Sequence, residues 1–399
     1  MPHVLPDKVY TAAQVRELDA LLIAAGTPGI ALMQSAAEAL WLAISCRWPD
    51  DRRMTVLCGG GNNAGDGYLL ALQACLAGWE VQVLAVADPT TLQGDAATAF
   101  RRAREQGVSV GSWRDGVELS GVVVDALLGT GLRGEVRAQY RSAIDAINAA
   151  QGPVVAVDIP SGLDADRGVM LGCAVTAQLT VTFIGLKLGL LTANGPDHVG
   201  ELVFAPLADS SPQAPAAAYE RLSMQGWTGT LPPRKKAAHK GSFGHLVVIG
   251  GGRGMGGAVM LAAEAALHSG AGKISVVTRS EHVAPLLARC PELMVHGMDD
   301  AAQLEALLAQ ADAVVIGPGL GRDAWARLLL KAVLAWQGPR VLDADALNLL
   351  SEEKTLPSLG RDTIISPHPA EAARLLSLST TEVQSDRPDA LREMLARLG

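Results

Sequence analysis

The sequence predicts an α/β protein in which a doubly wound parallel sheet is followed by a second α/β domain. Three observations carry that expectation. Runs such as VVVD (122–125) and VVAV (154–157) are apolar on both faces, as strands of a parallel sheet covered by helices must be. Such runs alternate with segments at helical spacing along most of the chain. Glycine-rich turns, drawn from 43 Gly, stand at several strand-to-helix junctions. With 399 residues the chain is long for one domain and comfortable for two.

The elements follow in order. Thr11 is an N-cap candidate for a first helix, and a second runs from about residue 30 to 44 after the GTPG break at 26–29. Met33, Ala36, Ala37 and Leu40 share one face of it and read as core. MTVLC (54–58) is a strand, GGGNNAGDG (59–67) a glycine turn, and YLLALQACLAGW (68–79) the helix after it. EVQVLAV (80–86) is a strand, and 94–106 a helix carrying Arg101, Arg102 and Arg104. GVVVDALLGTGL (121–132) runs from strand into turn, 139–149 is a helix, and PVVAVDIPSGLD (153–164) is strand and loop. APLADSSPQAPAAA (205–218), rich in Pro, Ala and Ser without periodicity, reads as a linker. The first domain is therefore set at 1–212 and the second at 219–399. In the second, strands and their turns are expected at 245–250, 273–278, 311–321, 340–350 and 363–376, with an almost wholly apolar helix at 258–270 and another at 303–310.

Bulk properties exclude some classes. A formal net charge of −8 argues against a nucleic-acid partner, though not against small phosphates, which glycine turns bind through backbone N–H groups. The five Cys form no CxxC and no metal-like cluster, so buried thiols in a reducing compartment are expected. The start has no basic and apolar leader pattern, and VTFIGLKLGLL (181–191) is short and carries Lys187. The expectation is a soluble cytoplasmic protein with no membrane partner.

In a doubly wound sheet, ligands bind beyond the carboxyl ends of the strands. The loops 59–67, 125–135, 158–164 and the stretch around Lys187 should then share one crevice. Asn63, Asp125 and Ser161 would gather side-chain oxygens there, enough for a monovalent cation helped by carbonyls. Asp158 ends a buried strand, a setting that suits a carboxyl to acid/base work; Asp125 and Asp158 could equally cap the loops that follow. Lys187 is either a snorkelling surface residue or a phosphate partner. Arg133 and Glu135 are either site groups or solvated turn residues. His368, between Pro367 and Pro369, has a ligand role or a turn role, and Asp343 and Asp345 read as caps.

Over about residues 9–206 the chain resembles the YjeF N-terminal domain, the NAD(P)H-hydrate epimerase. That family's GNNGGDG loop stands at 61–67 as GNNAGDG, its D-A-L-x-G-T-G segment begins at Asp125, and its D-I-P-S-G-L-D segment begins at Asp158. The resemblance implies a Rossmann-like unit that interconverts the R and S forms of hydrated NADH and NADPH. It implies that Asn62, Asn63, Ala64, Gly65 and Asp66 line the hydrate's site. Gly129, Thr130, Gly131, Leu132, Arg133, Gly134 and Glu135 would line it from the other side. It further implies that Asn63, Asp125 and Ser161 hold a potassium ion, and that Asp158 meets the reacting nicotinamide end as the catalytic group. Ala64 replaces the family's usual Gly, which a negative φ tolerates.

The second half looks like the ADP-dependent NAD(P)H-hydrate dehydratase, a ribokinase-like domain. HKGSFGHLVVIGG (239–251), GMGGAVMLAA (254–263), VVIGPGLG (314–321), VLDADALN (341–348) and SPHPAE (366–371) carry the likeness. By that match Ala258, Gly319 and His368 face the hydrate, ADP is the cofactor, and magnesium is a further candidate ion. The family's later Lys-Gly segment and glycine-rich GxGD loop have no counterpart before Gly399. The second domain is therefore expected to be truncated, unable to bind ADP well or to dehydrate, and to present an exposed sheet edge. The combined expectation is nicotinamide nucleotide repair by a homo-oligomer: epimerisation by the first domain, and ADP-dependent dehydration of the S-hydrate by the second where complete. The alternatives are a non-catalytic nucleotide- or partner-binding module, or a small-molecule kinase of ribokinase-like type.

Overall fold

The computed structural model describes residues 5–208, 214–224, 233–299 and 303–399, and the chain divides into two compact units, Met1–Leu231 and Pro232–Gly399. The first unit contains β1 (Lys8–Tyr10), α1 (Ala12–Ala24), α2 (Gly29–Arg47), β2 (Arg53–Cys58), α3 (Asn62–Leu76), β3 (Glu80–Ala85), α4 (Gly94–Glu105) and β4 (Val110–Ser112). It continues with β5 (Val122–Ala126), α5 (Ala138–Asn148), β6 (Val154–Val157), β7 (Leu179–Phe183), β8 (Leu186–Lys187), α6 (Gly195–His198), β9 (Glu201–Ala205) and β10 (Tyr219–Glu220).

Seven of these strands form a parallel sheet in the order β4-β3-β2-β5-β6-β7-β9. The chain winds outward from β2 to β4, then restarts at β5 beside β2 and winds the other way. The reversal leaves a crevice above the carboxyl ends of β2 and β5. Helix α1 starts where Thr11 and Gln14 form a capping box, each side chain accepting from the other's backbone N–H. Helix α2 is long and apolar enough, by length and composition, to cross a membrane. Here Leu32, Met33, Ala36, Ala37, Leu40 and Ile44 instead bury one face of it in the core.

Two boundaries differ from the sequence reading. Helix α3 begins at Asn62 rather than after Gly67, so much of the expected turn is helix. The glycines serve contact between elements. A Cβ on Gly65 would lie 2.5 Å from the Met33 sulfur, and one on Gly67 would lie 2.6 Å from the Ala126 Cβ. Tyr219 also stays with the first unit. It pairs antiparallel with Val9, and β1 in turn pairs with β8, so the second unit begins at Pro232 rather than near 219. Residues 209–213 of the expected linker, including the boundary at 212, lie outside the described residues.

The second unit contains β11 (His245–Ile249), α7 (Gly256–His268), β12 (Lys273–Thr278), α8 (Val283–Arg289), β13 (Met294–Gly297), α9 (Leu304–Leu308), β14 (Ala313–Ile316), α10 (Ala324–Ala335) and β15 (Arg340–Leu342). After these come α11 (Asp345–Ser351), β16 (Thr363–Ile365), α12 (Pro369–Leu376), α13 (Thr380–Ser385) and α14 (Arg387–Leu398). Its parallel sheet runs β13-β12-β11-β14-β15-β16, again reversing between its first strand and β14. Among the described residues β16 ends the sheet, with Ile364 exposed on it.

A buried polar row crosses β11, β12 and β13. His245 Nδ1 lies 3.0 Å from the Gln310 carbonyl, and its Nε2 lies 2.9 Å from Ser275 Oγ; His296 Nε2 is 3.3 Å from the same oxygen. A carbonyl only accepts, so His245 carries a proton on Nδ1 and donates it to Gln310. Burial, and His245 beside it, hold the His296 imidazole below its ordinary value. The folded state therefore binds this proton less readily than the unfolded chain, whose His titrates near about 6.5. Stability of the second unit should fall as pH drops below that value. Denaturant midpoints measured between neutral and mildly acid pH should show that slope, and His296→Gln should flatten it.

Candidate functional site

The turns after β2 and β5 cross at the first reversal. The Gly59 N–H donates to the Ala126 carbonyl at 3.0 Å, and a Cβ on Gly59 would sit 1.8 Å from the Leu127 oxygen. Only glycine permits that approach. Above it opens a cleft of about 710 Å³, the size of a small-ligand site. The α3 side supplies Gly60, Gly61, Asn62, Asn63 and Asp66, and the loop after β5 supplies residues 127–133 and Glu135. Asp158 and Lys187 line it too, with Asp19 from α1, Met33 from α2 and Asp95 from α4.

At the floor, Lys187 is fully buried. Its ammonium donates to Asp158 Oδ1, to Thr182 Oγ1 at 3.0 Å and to the Phe183 carbonyl at 2.9 Å. Asp158 Oδ1 also accepts from Thr182 Oγ1 at 3.2 Å and from the Phe183 N–H at 3.1 Å. Lys187 is thus neither a snorkelling surface residue nor a free phosphate partner; all three of its hydrogens are spent inside the protein. The backbone here is strained. Asp158, Ile184 and Leu207 have φ of 66°, 65° and 63°, and all three line the cleft.

Asp125 and Ser161 meet directly beneath the cleft. Asp125 Oδ1 accepts from the Ser161 hydroxyl at 2.6 Å and its Oδ2 accepts from the Ser161 N–H at 2.7 Å. Burial pushes the Asp125 carboxyl up to about 6, and the Ser161 hydroxyl and N–H pull against that. Both side chains are shut off from solvent. Asn63 is buried beside Gly129, and its amide nitrogen has no partner among the described residues. Asp66 is a perturbed carboxyl of the cleft. Burial first, then the charges of Asp158 and Asp19, hold it well above the usual carboxylate range, and Lys187 offsets this only in part.

Of the stretch 62–66, the structure places Asn62, Asn63 and Asp66 on the cleft, but turns Ala64 and Gly65 towards the core, where Ala64 is fully buried. Helical geometry separates them, because positions three or four apart share a face and their neighbours do not. Residues 129–133 and Glu135 line the wall, whereas Gly134, at φ 70°, forms the bend behind it. Sequence reasoning missed Asp19, Asp95, Arg137 and Tyr140, all on the cleft. Asp19 and Asp95 arrive from helices distant in the chain, Arg137 and Tyr140 from the start of α5 just beyond Glu135, and none carries a local motif.

The second unit repeats the crossing. Gly251 N–H donates to the Pro318 carbonyl at 3.0 Å and Gly252 N–H to Gly319 at 2.6 Å. Ala258 and Gly319 touch there, since a Cβ on Gly319 would lie 2.9 Å from that of Ala258. His368, which follows β16, caps α12: its Nδ1 accepts from Ala370 N–H at 3.0 Å and Glu371 N–H at 3.3 Å, and the ring is largely exposed. Asp343 and Asp345 are not caps. Asp345 accepts from Gly321 N–H at 2.8 Å and Asp343 from the Ser366 hydroxyl at 2.9 Å, so they tie neighbouring turns together. The cap position of α11 is Ala344, which has no side chain to offer.

Fold and site together define a class: a two-unit α/β protein whose ligand crevices lie at the reversal points of parallel sheets. Residues 29–189 match the family described as YjeF-related protein N-terminus, and residues 246–399 match the NAD(P)H-hydrate dehydratase family. The chain is 45% identical over 389 residues to the bifunctional NAD(P)H-hydrate repair enzyme of Coxiella burnetii, covering 97% of this chain and 79% of that protein. It is 42% identical over 409 residues to the enzyme of the same description from Escherichia coli, covering 100% of this chain and 77% of that one. Among solved structures, the ADP/ATP-dependent NAD(P)H-hydrate dehydratase from Bacillus subtilis, co-crystallized with ATP/Mg2+, is 28% identical with a TM-score of 0.38, covering 44% of this chain and 62% of that chain. The chain belongs to the family of bifunctional NAD(P)H-hydrate repair enzymes, with an epimerase unit followed by a dehydratase unit.

Removing one partner of a buried ion pair leaves an uncompensated charge, which costs about 3–5 kcal/mol. Lys187→Met should therefore lower the unfolding free energy of the first unit by that amount, and adding Asp158→Asn to it should recover part of the loss. Denaturant unfolding of the three proteins checks this; a single variant as stable as the wild type would contradict it.

Proposed function

We propose that the first cleft is where R- and S-NAD(P)H hydrate are interconverted, with Asp158 facing the reacting ring. The supporting observation is the Asp158–Lys187 pair, held on strained backbone at the floor of a cleft whose rim is glycine turns. Water adds to an electron-rich dihydronicotinamide as it adds to any enamine, so the hydroxyl sits on the carbon next to the ring nitrogen. The nitrogen lone pair can expel that hydroxyl once it is protonated, giving a planar cation, and water returning to the other face inverts the centre. A carboxylate fixed beside the ring stabilises the developing positive charge without having to reorganise. Lys187 supplies the fixing, and its full burial keeps bulk water from screening the pair.

The rest of the cleft suits the dinucleotide. Backbone N–H groups around Gly61, Asn62, Gly129, Thr130 and Gly131 are available for phosphate oxygens at the start of α3, and Leu132 adds apolar wall. Arg133 and Arg137 bring guanidinium groups that have no acidic partner among the described residues. A potassium ion fits beneath. The orphaned Asn63 amide, turned by half a revolution, presents an oxygen, and the buried Asp125 carboxyl gains the countercharge that its surroundings withhold. Held by Asn63, Asp125 and Ser161, the ion would tie the loops after β5 and β6 to the start of α3. In the second unit we assign the S-hydrate to the crossing of Ala258 and Gly319, with ADP and magnesium as the cofactor pair. Five free cysteines fit a reducing cytoplasm.

Asp158→Asn keeps an oxygen for Lys187 but removes the charge. Conversion of the R-hydrate, followed by chiral chromatography at a temperature where circular dichroism shows the variant still folded, should fall to its uncatalysed rate, and the melting temperature should drop because Lys187 loses its countercharge; undiminished conversion would remove Asp158 from the reaction. Thermal melts in potassium chloride should also exceed those in choline chloride at equal ionic strength, and equal melts would dismiss the ion.

A further inference from the structure

Resting on the epimerase reading, we propose that Asp66 is a second catalytic residue: the acid that protonates the departing hydroxyl of the hydrate. Its carboxyl lies half-buried on the cleft side of α3, beside Asn62 and Asn63. Among the described residues no hydrogen-bond donor is directed at it. The one cation at the floor, Lys187, has given its three hydrogens to Asp158, Thr182 and the Phe183 carbonyl and has none left. The other charged groups facing this corner are Arg16 and Asp19 on α1, Asp95 on α4 and Asp158 after β6. Of these carboxyls Asp158 and Asp19 act on Asp66, Asp95 acts on Asp19, and the single buried ammonium is already committed.

Like charges packed together cannot all ionise, so one member keeps its proton. Asp158 is the member paired with the ammonium. Asp66, without a donor, keeps the proton, in line with the upward displacement of its titration by burial and by Asp158 and Asp19. The two carboxyls then divide the reaction. The Asp66 proton passes to the hydroxyl oxygen as the carbon–oxygen bond breaks, its bonding pair leaving with water. The ring-nitrogen lone pair forms the carbon–nitrogen double bond, and the cation rests against Asp158. When water adds to the opposite face, the double-bond pair returns to nitrogen, the adding water gives its proton to solvent, and Asp66, on the open cleft, takes a proton back from solvent. No oxidant or reductant is needed.

The test uses the full chain, R-NADPH hydrate as probe, and rates corrected for the uncatalysed reaction. Asp66→Asn should lower kcat about 100-fold or more, as loss of a general acid does, and leave the hydrate's Kd, measured by calorimetry, within about threefold of the wild type. Asp66→Glu, which keeps an acid, should recover part of the loss. Wild-type kcat should decline as alkaline pH strips Asp66 of its proton, and that limb should be missing from the residual rate of Asp66→Asn. A wild-type kcat in Asp66→Asn, or a defect confined to Kd, overturns the proposal. If both variants fail to fold, a wild-type kcat with no alkaline decline overturns it. Failure of the underlying reading looks different: the wild-type protein itself would neither bind nor interconvert the hydrate.

Discussion

Two backbone turns can cross in contact only where one of them carries no Cβ, and both units are arranged around that condition. In the first, Gly59 crosses Leu127; in the second, Gly250 crosses Pro318, where a Cβ would sit 2.1 Å from a carbonyl oxygen, and Gly317 crosses Asp343 at 1.8 Å. The Gly59–Leu127 and Gly250–Pro318 crossings lie where a parallel sheet reverses its winding, so the strands that carry them are neighbours although distant in sequence, and the Gly317–Asp343 crossing joins the turns of the adjacent β14 and β15. Bringing them together sets the start of α3 beside the loop after β5 and the start of α7 beside the loop after β14. The cleft of the first unit is the space left over by this approach.

The electrostatics of the first cleft follow from its depth. A fully buried lysine is tolerated only if every hydrogen finds an acceptor, and Asp158, Thr182 and Phe183 provide them. The strained φ angles of Asp158 and Ile184 let the ends of β6 and β7 turn back on this ammonium. Asp125 is buried differently. It accepts from the Ser161 hydroxyl and N–H and from the Leu127 N–H, neutral donors that leave its charge without a counterion. One cleft therefore holds three kinds of carboxyl: one paired with an ammonium, one hydrogen-bonded below the floor, and one without a donor. Chemistry that needs an anion beside an acid uses that difference.

Much of the fold was legible because strands with apolar faces and glycine turns are local signals. The strands at 54–58, 80–86 and 122–125 and the helices at 94–105 and 138–148 stand close to where periodicity put them, whereas α3 starts six residues early because its glycines look like a turn. The meeting of Asp125 and Ser161 was legible too, since both follow strands that a doubly wound sheet makes neighbours. The Lys187–Asp158 pair was not. It depends on β8 folding back across 29 residues, and nothing in an apolar run says whether its lysine points in or out. Tyr219 and Glu220 were misassigned because a two-residue strand has no period to read. His368 escaped as a cap because histidine is a rare one, although the glutamate three residues on supplied the usual spacing.

The manner in which Lys187 is held has a chemical corollary. An amine attacks an acylating reagent through a free lone pair, which requires first giving up a proton, and reaching the reagent requires an open path. Lys187 has neither while the floor is closed, so anhydrides and active esters should mark the surface lysines and pass it by. Its acylation would record how often the ends of β6 and β7 part, making this residue a built-in clock for breathing of the cleft.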